Sequence, residues 1–82
     1  MTINEYLRQK FPYFNVRGTK AWNDDEDLII RIRVLNDHAV IEVMAEYPES
    51  CITTTCDAVF EDEIVDFLEK ELDEMIAMLK GL

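Results

Sequence analysis

Asp62, Asp66, Glu69 and Asp73 follow one another at spacings of four, three and four. On a helix they would form a nearly straight line about 16 Å long at 1.5 Å per residue. The chemistry such a line offers is electrostatic. A rigid row of carboxylates can occupy a basic groove built for phosphates, with the counterion release that drives nucleic-acid binding. Like charges at these spacings cost roughly 0.2–0.5 kcal/mol per pair, so a helix can also carry the row as a merely solvated face. Asp24 and Asp25, and the pair Asn36-Asp37, would add polar and negative groups elsewhere on the surface. Together these eight residues are the candidate partner-binding set.

Other chemistries find less support. His38 is the sole histidine, with no serine or cysteine placed beside it, so the nucleophile-and-base pair that hydrolysis needs is missing. The run Asn23 to Asp27 suggests a calcium loop, but the sixth and twelfth places from Asn23 hold Leu28 and Val34 where glycine and glutamate are required. Neither of the two glycines sits in a phosphate-cradling motif. Cys51 and Cys56 are five apart, which on a strand sends them to opposite faces and prevents a local bridge. Two thiols without further ligands make no metal site. Trp22, Tyr13, Phe14 and Tyr47 could stack bases, yet stacking platforms come with basic grooves and this chain is acidic. A non-enzyme without cofactor or metal is expected.

Charge and length bound the rest. The 82 residues make one domain, 1–82, with formal charge −10. Nine acids against two lysines from Asp57 onward leave seven net negative charges there; nine acids against six bases leave three in the first 56 residues. Charge of this sign repels nucleic acid and anionic membranes, so the fitting partner is a basic protein. No basic region followed by an apolar run marks a signal peptide, and no apolar stretch is long enough to span a membrane. With two unpaired cysteines, a reduced, cytoplasmic setting is expected.

The elements that must position these groups follow from periodicity. Thr2-Ile3-Asn4-Glu5 matches a capping box, and Ile3, Leu7 and Phe11 continue it as a short amphipathic helix that Pro12 ends. Tyr13 to Trp22 alternates poorly and is broken by Gly18, which predicts an irregular edge strand. Leu28–Leu35 and His38–Tyr47 form a hairpin about Asn36-Asp37. Turning there pairs Val34 with Ala39, Ile32 with Ile41, Ile30 with Val43 and Leu28 with Ala45, all on one face, and sets Arg31 opposite Glu42. The other face carries Ile29, Leu35, Val40 and Met44 among charged residues, a surface through which the chain could form a homodimer.

Pro48-Glu49-Ser50 predicts a turn, and Cys51 to Cys56 a β-branched strand. Asp57 caps a long helix running to Leu82, with Gly81 near its C-cap. Its apolar stripe is Phe60, Ile64, Phe67, Leu68, Leu72, Met75, Ile76 and Leu79, and Phe67→Ala is expected to cost about 3–5 kcal/mol. The fold class is α+β: a two-layer sandwich in which a three- or four-stranded antiparallel meander carries both helices on one face.

Met1-Thr2-Ile3-Asn4-Glu5, the strand Leu28-Ile29-Ile30-Arg31-Ile32 and the following Asn36-Asp37 resemble parts of small acidic phage-encoded anti-CRISPR proteins that inhibit Cas9. The resemblance covers at most the first 47 residues. It implies a DNA-mimicking inhibitor whose acidic surface, with Asn36 and Asp37, occupies the basic site where Cas9 reads its short duplex motif through arginines. The family's longer, glycine-containing acidic turn is missing here, and one long helix replaces its helical pair. The expected function is thus a non-catalytic inhibitor or decoy. The alternative is a phage or mobile-element assembly module that self-associates through the sheet face.

Overall fold

The computed structural model describes residues 1–25, 27–46 and 49–81. Glu26 in the expected loop, Tyr47 at the expected strand end, Pro48 in the expected turn and Leu82 at the expected helix end lie outside the described residues. The order is α1 (Ile3–Lys10), β1 (Asn15–Arg17), β2 (Lys20–Trp22), β3 (Ile29–Val34), β4 (Ala39–Glu46), β5 (Glu49–Cys56) and α2 (Glu61–Gly81). The strands form one antiparallel meander in the order β1-β2-β3-β4-β5. Both helices pack on one face of it, α1 against β1 and β2 and α2 against β4 and β5, and they touch each other. The α+β sandwich stands, with five strands in place of three or four.

The additional strand comes from the Tyr13–Trp22 segment, which is a hairpin rather than one irregular strand. Asn15, Val16 and Arg17 pair with Trp22, Ala21 and Lys20. Gly18 does not merely interrupt: with φ of +58° it opens the tight turn between the two strands. Three-residue strands are too short for period-two alternation to register, which is why the hairpin reads poorly from composition. Thr19 ties the turn to β3 in both directions, its hydroxyl donating to Ile32 O at 2.6 Å and its carbonyl accepting from Ile32 N at 3.0 Å.

The central hairpin has the register that its apolar pattern requires. Ile30, Ile32 and Val34 lie opposite Val43, Ile41 and Ala39, and Arg31 lies opposite Glu42. Leu28 and Ala45 fall just beyond the paired residues of β3, though Leu28 is buried. Glu49 and Ser50 belong to β5, which pairs along its whole length with β4. Cys51 is exposed and Cys56 buried, as the odd spacing demands.

The long helix begins at Glu61, not Asp57. Its first backbone bond runs from Ile64 N to Phe60 O at 3.0 Å. Asp57 to Phe60 instead form the connection from β5 at the sheet to α2 in the helix layer. Phe60 is consequently outside the stripe and 69% exposed, while Val65, absent from the expected stripe, is buried. Phe67 and Ile76 are half-buried; Ile64, Leu68, Leu72, Met75 and Leu79 are in the core. Gly81 is a helical residue without positive φ, so it is not a left-handed cap.

Candidate functional site

The acidic row belongs to the flank of α2 that borders α1. Thr2 caps α1 through the expected box: Glu5 N donates to Thr2 Oγ1 at 3.1 Å and Thr2 N to Glu5 Oε1 at 3.0 Å. Ile3 N then donates to Glu61 Oε1 at 3.0 Å, joining the starts of the two helices. From there the helices run side by side in the same direction. The Met1 ammonium meets Asp62 at 3.1 Å, and Lys10 Nζ meets Asp73 at 2.6 Å.

Both ends of the row are therefore partly neutralised across the helix seam. Asp66 and Glu69, its two middle members, are exposed and make no ion pair among the described residues. Asp66 and Glu69 line a shallow hollow of about 340 Å³ with Met1, Asp62 and Val65. The field of the row is felt by Tyr6 on α1. Burial, then the charges of Asp73 and Glu69, push its phenol up to about 12.

The other four candidates are not brought to this row as one site. Asp24 and Asp25 lie in the turn before β3, and Asn36-Asp37 in the turn after it, so the two groups sit at opposite ends of a strand about 20 Å long. Asp24 accepts from Asn15 Nδ2 at 2.8 Å. Asp37 is 2.6 Å from His38 Nδ1, and that contact holds its carboxyl below the usual range. In the acidic loop Asn23 bonds Asp27 and accepts from Leu28 N at 3.3 Å, so its polar groups are spent on closing the turn. Among the described residues no three His, Cys, Asp or Glu side chains converge as metal ligands, and no helix is long and apolar enough to cross a membrane.

The open face of the sheet carries a row of basic side chains beside Glu42, Glu46 and Glu49. Arg17 lies opposite Lys20, Lys20 opposite Arg31, Arg31 opposite Glu42, and Glu42 opposite Thr53, one continuous cross-strand row. Arg31 grips Glu42 through Nε at 3.0 Å and Nη2 at 3.3 Å, and Arg33 Nε reaches the same carboxylate at 3.2 Å. The hydrogen bond from Arg31, with further help from Arg33, keeps Glu42 ionised below the ordinary carboxylate range. Lys20 Nζ stands 5.0 Å from the Trp22 ring centroid. Four of the chain's eight lysines and arginines thus share one face, a grouping the sequence hides because Arg17 and Lys20 join it only through the β1–β2 hairpin.

That basic row divides the apolar patch expected on this face. Ile29 and Met44 are paired and half-buried, Val40 is 9% exposed opposite Arg33, and Leu35 lies past the end of β3. The Arg31–Glu42–Arg33 cluster stands between the Ile29–Met44 pair and Val40. Neither a protein-family model, nor a curated protein, nor a solved structure matches this chain.

Proposed function

We propose that this chain is a non-catalytic binding protein whose acidic α2 flank occupies the basic nucleic-acid-binding surface of a partner protein, acting as an inhibitor or decoy. The observation that carries the reading is the pair Asp66 and Glu69, exposed and without an ion pair among the described residues, in the middle of a row whose ends are tied to Met1 and Lys10. The row stands on a 21-residue helix anchored by Ile64, Leu68, Leu72, Met75 and Leu79, so its spacing is held by the core. A fixed row of charge loses little entropy on binding and gains the release of the partner's counterions. Asp24, Asp25, Asn36 and Asp37 contribute only if the partner wraps the molecule, since they lie away from one another.

The resemblance of the N-terminal half to anti-CRISPR proteins makes a Cas9-type nuclease the first partner to test. Binding is measured at about 0.05 and 0.5 M salt for the chain and for an Asp66→Lys, Glu69→Lys variant. The reading expects affinity that falls steeply with salt and disappears in the folded variant. Undiminished binding by the variant discards it.

Self-association through the open sheet face is the second reading. What supports it is a hollow of about 500 Å³ beside the β4–β5 end of the sheet, where Ile29, Met44 and Cys51 meet Glu46 and Glu49.

A further inference from the structure

The last strand of the meander has an open side. β5 is eight residues long and pairs with β4 over all eight without a bulge. Among the described residues no backbone hydrogen bond from outside the β4–β5 pair reaches Cys51 to Cys56. Such an edge presents a row of amide and carbonyl groups ready to pair with another strand. Proteins that stay apart blunt their edges with lysine, proline, bulges or very short strands. The opposite edge of this sheet follows that rule: β1 has three residues and carries Arg17. β5 is charged only at its start, by Glu49; from there Cys51-Ile52-Thr53-Thr54-Thr55-Cys56 contains neither charge nor proline and is rich in β-branched residues.

We infer that β5 is a dimerisation edge whose occupant is the β5 of a second copy, paired antiparallel about a twofold axis to give a ten-stranded sheet. Antiparallel pairing of a strand with itself satisfies every outward backbone group reciprocally, which is what a twofold interface requires. Charge selects the same place. Two molecules of formal charge −10 repel at most approaches, and Cys51 to Cys56, between Glu49 and Asp57, is an uncharged stretch along which two backbones can meet. The inference needs neither the acidic row nor stacking of sheet faces.

The test is sedimentation velocity from about 5 to 500 μM at about 0.15 M salt, on the whole chain. The wild type is expected to shift from monomer to dimer. Thr53→Lys with Thr55→Lys, both at exposed positions, should remain monomeric while keeping the wild-type circular dichroism. Ile29→Lys on the open face, and Asp66→Lys with Glu69→Lys on α2, should dimerise like the wild type. Amide exchange in β5 of the unaltered chain should slow as its concentration rises, a readout that does not depend on how the lysine variant folds. A wild type that is monomeric throughout overturns the inference, as does a dimer that survives the Thr53 and Thr55 lysines but is lost with Ile29→Lys.

Discussion

Lys10 Nζ lies 2.6 Å from Asp73 Oδ1, so the last turn of α1 holds the far end of the acidic row on α2. The lysine thereby competes with any basic partner for that carboxylate. Asp73 is 73% exposed and Lys10 32%, and pairs of that kind contribute about 0–1 kcal/mol. Lys10→Ala should therefore change thermal stability little while adding a third free acid beside Asp66 and Glu69. Affinity for a basic partner, measured by calorimetry at low salt, is expected to rise in this variant. A fall would mean that Lys10 itself contacts the partner.

Tyr6 reports on the same row from within the fold. Its phenol ionises at about 12, against roughly 10 in an unfolded chain. The raised value means that the folded state keeps its proton while the unfolded state loses one. The contribution is complete below pH 10 and is lost as pH climbs toward 12. Ultraviolet titration should show a late tyrosinate transition that Tyr6→Phe removes. Glu69→Gln should move that transition downward by weakening the surrounding negative field.

Core energetics separate two residues that look alike in the stripe. Leu72 is fully buried, whereas Phe67 is half-buried at the margin. Leu72→Ala should cost about 2–5 kcal/mol by urea denaturation, and Phe67→Ala less than Leu72→Ala despite the larger side chain it removes. The ordering expected from residue size alone is reversed because Phe67 already meets water.

Glu42 couples stability to acid pH. Its carboxyl is held below the ordinary range by Arg31 and Arg33, so its stabilisation is present above roughly pH 4.3 and is lost as pH falls through the depressed value. Glu42→Gln should lower the melting temperature at pH 7 and narrow the difference between pH 7 and pH 3. The result that would refute this is an unchanged difference. In the variant, Arg31 and Arg33 would lose the carboxylate that both of them reach.

Much of this molecule is legible in local pattern. Thr2 and Glu5 specify the start of α1, and the alternation around Asn36-Asp37 specifies the β3–β4 register and hence the Arg31–Glu42 pair. The spacing of Ile64, Leu68, Leu72, Met75 and Leu79 specifies the buried side of α2. Each depends on groups within a turn or two, or on a period that names a face. What alternation and spacing could not state is which faces become neighbours. The parallel seam of α1 and α2 alone decides that Asp62 and Asp73 are tied while Asp66 and Glu69 have no ion pair among the described residues. The β1–β2 hairpin alone brings Arg17 and Lys20 beside Arg31, and the end of the meander alone leaves the outer backbone edge of Cys51 to Cys56 unpaired among the described residues. Periodicity assigns a side chain to a surface; only the closing of distant elements on one another determines what that surface confronts.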